Sequence, residues 1–325
     1  MKIQFGMNVF LLSAVFLLAG CVTPASYTDP IIKYQKASTI VIESARTQYT
    51  LANKKSRDAL IDQLTAKNER ITFKSIEQSK LISADALQVR MDALDTLAKH
   101  GELLLALASN DSADKAVTSA RKLSTAVSSL KGAVNESQGV NGSRATENLA
   151  GPFAELAGKI ASMVIEQKIN AELKSAINQS NKKVDALIDS IEEDMRNLYA
   201  AQRSDLVIAR QVSVDDYNCQ SEGAACKDDN GKPIKVSKYP ASERKKTASE
   251  VKAVEDKWDA FITTNPAPGF NAMRDAHSQL VTYANSSKSP QDFAQLTEAM
   301  DVFVSRAVMI SESIETIRNA QEEGK

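Results

Sequence analysis

Apolar residues recur at three- and four-residue spacing along most of the chain, which is the period of a helix with one buried face. Over 31–67, Tyr34, Ala37, Val41, Ala45, Gln48, Ala52, Ala59 and Leu64 share a face, and Lys, Arg, Gln and Asn fill the other. Asp29 followed by Pro30 reads as the N-cap and first helical position of that element. A second helix is predicted over 71–109, with Phe73, Ile76, Ala84, Leu87, Met91, Leu94, Ala98, Gly101, Leu105 and Ala108 in near-heptad register. At 1.5 Å per residue it would be nearly 60 Å long. Its run Leu103 to Ala108 is apolar all round, so it should be packed on more than one side, and it is too short to span a membrane. A helix rich in small residues follows over 113–131, with Ala116, Ala120, Leu123, Val127 and Leu130 on its face. Gly132, Gly139, Asn141 and Gly142 then predict a flexible loop over 132–145.

Between Pro152 and Gln211 the positions Leu173, Ile177, Val184, Leu187, Ile191 and Leu198 sustain a heptad seam. A continuous helix there would extend about 90 Å, which calls for either a long arm or a break near 165–170; a stripe facing the core is the preferred reading of the seam. The stretch 212–240 changes character: Val212 and Val214 precede an Asn230-Gly231 turn and Ile234 and Val236 follow it, the pattern of a small β-hairpin. Three further helices are predicted over 242–264, 269–285 and 290–322. Ser289, Pro290 and Asp292 open the last, whose face is Phe293, Leu296, Met300, Phe303, Ala307, Ile310, Ile314 and Ile317. The fold class is therefore all-α, an elongated antiparallel helical bundle with long coiled-coil-like helices and one small disulfide-closed loop or β-hairpin. It forms a single domain over 30–325 with an insert at about 212–240.

The first twenty residues break this pattern. Met1 and Lys2 precede an uncharged run from Ile3 through Leu18, which gives way to small residues: a charged start, an apolar core and a cleavage site. Leu18, Ala19, Gly20 and Cys21 resemble the lipobox of bacterial lipoproteins, and the resemblance covers only residues 1–21. It implies a signal peptide over 1–20, diacylglycerol in thioether linkage on Cys21, cleavage before that cysteine, and an acyl chain such as palmitate on the freed amine. Residues 21–29 then form the lipidated cysteine and a short tether. Two or more chains anchor a protein stably, whereas one binds reversibly. The resemblance also implies sorting: with Val22 rather than aspartate after the cysteine, the outer membrane is favoured, on its periplasmic face.

Cysteine usage fits an exported chain. Lipid consumes Cys21 and leaves the pair Cys219 and Cys226, with six residues between them in a polar stretch, for a local disulfide. Closing so short a loop contributes roughly 2–3 kcal/mol in the chain-entropy model. Without Lys2 the mature chain carries 39 basic against 41 acidic residues, a balance of −2. Charges of both signs are mixed along the chain and aromatic residues make up 5% of it, so no basic stripe with stacking platforms points to nucleic acid.

Candidate chemistry is sparse. The two histidines, His100 and His277, fall inside predicted helices without a second ligand at metal-binding spacing, and both read as core or boundary residues. Asp228, Asn230 and Gly231 imitate the middle of a calcium loop, but Cys226 and Ser237 stand where its first and last acids belong. Glu192, Glu193 and Asp194 beside Arg196 read as a solvated helix face, and Trp258, spaced with Val254 and Phe261, as a core residue. No nucleotide loop or nucleophile elbow is present, so neither a cofactor nor a small-molecule substrate is indicated. The favoured function is a non-enzymatic scaffold, adaptor or accessory subunit that binds the membrane through Cys21 and an envelope protein through its helical surface. The alternatives are a membrane-active helical protein and an enzyme with an unfamiliar carboxylate site.

Overall fold

Helix-forming residues dominate the chain, and the computed structural model of the protein is built from helices alone among the residues it describes, which are 25–109, 113–138, 173–222, 226, 232, 240–262 and 265–322. In chain order these are α1 (Ala25–Ala66), α2 (Phe73–Ser79), α3 (Ala84–Ala108), α4 (Ala113–Gln138), α5 (Leu173–Glu222), α6 (Ala241–Ile262), α7 (Ala267–Asn285) and α8 (Pro290–Glu322). No described helix is long and apolar enough to cross a membrane. Residues 1–20 and Cys21 lie outside the described residues, as do the predicted break at 165–170 and the turn at Asn230-Gly231 with Ile234 and Val236.

Four predicted boundaries move, each for a local reason. α1 starts at Ala25, so Pro30 lies inside the helix and residues 25–29 of the predicted tether are helical. A proline removes one backbone donor, but this turn is held from outside: Tyr27 packs edge-on against Tyr283 at 5.1 Å and Thr28 Oγ1 donates to the Ala108 carbonyl at 3.0 Å. The helix predicted over 71–109 divides in two because serine and threonine offer its backbone other partners. Thr72 and Ser75 form a capping box on α2, and the Ser83 hydroxyl accepts from Ala86 N to cap α3. Asn53 on α1 then brackets Ile82, accepting from its N–H at 2.9 Å and donating to its carbonyl at 2.8 Å. Phe73 consequently leaves the seam and is 91% exposed.

α4 runs on through Gly132 to Gln138, where a loop was expected. α5 likewise continues through Val212 and Val214 to Glu222, which removes the first strand of the expected hairpin. Side-chain bonding supports that extension: Arg210 forms a two-pronged bond with Glu255 of α6, at 2.8 and 2.7 Å, and the Ser213 hydroxyl donates to the Arg210 carbonyl. The disulfide between Cys219 and Cys226 is formed, with the Cα atoms 4.5 Å apart, and ties the last turns of α5 to the chain beyond it.

Neighbouring helices run antiparallel across most contacts. α3 descends along α1, pairing Ala108 with Thr28 at one end and Ile82 with Asn53 at the other. α6 and α7 together descend along α5 in one continuous register, through Glu255–Arg210, Ile262–Tyr199, Asp189–Arg274, Asp185–His277 and Asn178–Asn285. The break between them carries Asn265, whose side chain accepts from Ala267 N at 3.0 Å, and Pro266. α8 is the exception and runs parallel to α1, with Lys33 paired to Asp301 and Tyr34 against Phe303. Ser289 and Asp292 cap α8 reciprocally, as its sequence predicts.

The core follows the predicted faces on α5 and most of α8, where Phe293 alone of the described face residues is exposed. On α3 the buried face is rotated: Ala86, Val89, Ala93 and Leu97 are buried, while the predicted Leu87, Met91, Ala98 and Leu105 are half-buried and Ala84 is exposed. Ile177, Val184, Leu187 and Ile191 of α5 are buried, as are Leu296, Met300, Phe303 and Ala307 of α8; the seam is a core stripe. Leu103, Leu104 and Ala108 are also buried, so the all-apolar run packs inside the bundle. Gly269 packs tightly against α8 and α1, since a Cβ there would meet Ile310 Cδ1 at 2.5 Å and both Val41 methyls at 3.0 and 3.2 Å. Gly132 has nothing within 4 Å of such an atom. Gly269→Ala is therefore expected to destabilise by about 1–3 kcal/mol through overpacking. Gly132→Ala should stabilise by about 0.5–1 kcal/mol, as alanine does in an open helical position. Urea denaturation of the two variants checks both signs.

Candidate functional site

Two layers of polar side chains cross the bundle interior. In the first, the helical faces bring Tyr34 of α1, His100 of α3, Ser180 and Asp185 of α5 and His277 of α7 together. The Ser180 hydroxyl donates to the Ile177 carbonyl at 3.1 Å and lies 3.0 Å from His100 Nε2. With its proton so used, Ser180 accepts from His100, which fixes the Nε2–H tautomer. His277 Nδ1 lies 2.8 Å from Asp185 Oδ1, and the two imidazoles meet edge to face with centroids 5.6 Å apart. Both rings are buried, which bears out their reading as core residues. Burial first, and the neighbouring His277 second, pull the His100 pKa down to about 3. Burial likewise raises the Tyr34 phenol well above its ordinary value.

In the second layer Arg90 of α3 clasps Asp194 of α5, with Nε donating to Oδ2 at 2.7 Å and Nη2 to Oδ1 at 2.8 Å. Arg90 Nη1 donates to the Ala86 carbonyl, and the Tyr49 hydroxyl of α1 donates to Asp194 Oδ2 at 2.5 Å. Both charged side chains are 2% exposed. Burial and the adjacent Asp194 carboxylate raise the Tyr49 pKa far above that of a free phenol. The carboxylate cluster thus departs from the predicted solvated face: Glu193 is exposed, but Glu192 and Asp194 are buried. Glu192 pairs with Arg196 and lies 3.5 Å from Arg274, which also holds Asp189 at 2.6 Å. α5 touches α3, α6 and α7, so its covered surface is wider than one stripe.

Trp258 also departs from its predicted core position. It is half-buried on α6 beneath the Arg210 guanidinium, 4.5 Å from the ring centroid, with Arg203 at 5.9 Å on the same ring. The buried aromatic nearby is Phe261, stacked on Tyr199 at 4.4 Å. Beyond this point the outer side of α5 exposes Val207, Ile208, Val212 and Val214. An open cleft of about 960 Å³ runs along α8 past Phe293, Thr297, Asp301, Val302, Arg306 and Met309. That cleft touches neither polar layer, and no three potential metal ligands converge among the described residues. Of the residues singled out in the sequence, Cys219 and Cys226 are brought together and Cys21 lies outside the described residues. No protein-family model matches the chain, and it shows no significant similarity to curated proteins or to solved structures.

Proposed function

We propose that this protein is an envelope lipoprotein, acylated on Cys21 and held at the periplasmic face of the outer membrane. There it acts as a scaffold, adaptor or accessory subunit for another envelope protein. Leu18, Ala19, Gly20 and Cys21 support the anchor, Val22 supports the outer membrane, and a disulfide suits an oxidising compartment. The interior carboxylates favour a structural over a catalytic role, because Asp194 is consumed by a two-pronged ion pair with Arg90.

The observation that carries the partner is the uncovered apolar stripe of α5. Ile208 and Val212, one helical turn apart on the side of α5 opposite Arg210, are 60% and 52% exposed, and Val207 beside them is 48% exposed. Apolar side chains grouped on one outer helix face mark an interaction surface. A photocrosslinking residue at Ile208 or Val212 in intact cells should capture one and the same species from both positions. That product should disappear when Cys21→Ser releases the protein from the membrane, and Ile208→Lys with Val212→Lys should abolish it. Recovery of the bait alone from both positions would refute the adaptor role.

A further inference from the structure

We infer that the end of the bundle at which α1 begins rests on the headgroup layer of the bilayer that holds Cys21, and that the α5–α6 arm stands away from it. This rests on acylation of Cys21. The leash is the first ground: Ala25 is already helical, so four peptide steps separate the lipidated residue from the folded body, at most about 14 Å. The second is that this first turn is fastened to the bundle. Tyr27 packs on Tyr283, and Thr28 is hydrogen-bonded to the last residue of α3, so α1 cannot swing on its leash without carrying α3 and α7 with it.

The chemistry of that end suits phosphate headgroups. Lys288 stands in the α7–α8 turn with φ of 63°, its ammonium 4.3 Å from the Tyr283 ring and 5.3 Å from the Tyr27 ring. No described residue accepts a hydrogen bond from it. Lys174, exposed at the start of α5, is near enough to add, after burial, to the lowering of the Lys288 pKa, while Asp292 opposes it. The Lys288 ammonium is buried between the two tyrosine rings, and Lys174 is the exposed cation beside it, so this end carries positive charge that attracts phosphate headgroups. The flank along α8 differs, because Glu298, Asp301 and Arg306 interrupt its apolar residues with charges of both signs. Asp215, near the far end of α5, lies about 55 Å along the helix from Asn178 at 1.5 Å per residue.

The test uses the full acylated chain in vesicles of phosphatidylethanolamine and phosphatidylglycerol that carry a headgroup-attached quencher. A fluorophore is placed at Ser287→Cys or at Asp215→Cys, both exposed positions. The Ser287 label should lose most of its emission and the Asp215 label should keep its own; the Cys21→Ser chain should show neither loss. Equal quenching of the two labels on an acylated chain, or stronger quenching at Asp215, overturns the orientation alone. A Cys21 without acyl chains, read from the mass of the same sample, overturns the anchor and the orientation with it.

Discussion

Asp194→Ala is expected to lower the unfolding free energy by about 3–5 kcal/mol, because it leaves the Arg90 guanidinium charged, buried and unpaired. Both side chains are withdrawn from water, and the carboxylate receives donors from Arg90 and Tyr49. Tyr49→Phe keeps the charge pair and removes one bond to it, so its effect should be smaller, about 1.5–3 kcal/mol. Replacing the whole layer with apolar residues of similar size, as Arg90→Met, Asp194→Leu and Tyr49→Phe together, should restore much of the loss, since no charge is then stranded. Urea denaturation of the three proteins reads the order. A single Asp194→Ala change that costs no more than Tyr49→Phe would mean that the layer is hydrated rather than dry.

The largest pH effect is expected from His100. A free histidine binds a proton near pH 6.5, whereas the folded protein refuses one until about 3. Below 6.5 protons therefore favour the unfolded chain. The contribution of neutral His100 is complete above that value and is lost as the pH falls towards 3, at about 1.4 kcal/mol per pH unit. His100→Gln retains a side chain able to donate to Ser180 but does not titrate, so its stability should fall less steeply over the same window by about one proton. Parallel pH profiles for the two proteins would show that His100 gains its proton without unfolding.

The bundle was legible because its helices bury single faces, as Val184 and Ile191 on α5 and Met300 and Phe303 on α8 illustrate. The boundaries were less so, since they depend on contacts between distant segments. The bracket of Asn53 around Ile82 ends one helix, and the pairing of Arg210 with Glu255 prolongs another past two valines with strand preferences. The Asp194 layer did leave a trace: Ser180, Leu187 and Asp194 are spaced by seven, which places the acid on the inward row beside the apolar seam. Its neighbours Glu192 and Glu193 lie off that row, so the three acids together resemble a solvated face. Trp258 misled for the opposite reason, because helical spacing cannot distinguish burial against a core from cover by two arginine side chains.

One measurement reaches the proposed anchor directly: the intact mass of the N-terminal peptide of the mature protein, taken from its native membrane. The expected chain begins at Cys21 and is heavier than its residues by diacylglycerol and an amide-linked acyl chain. A mature chain with an unmodified first residue, recovered from the soluble fraction, would contradict the anchor.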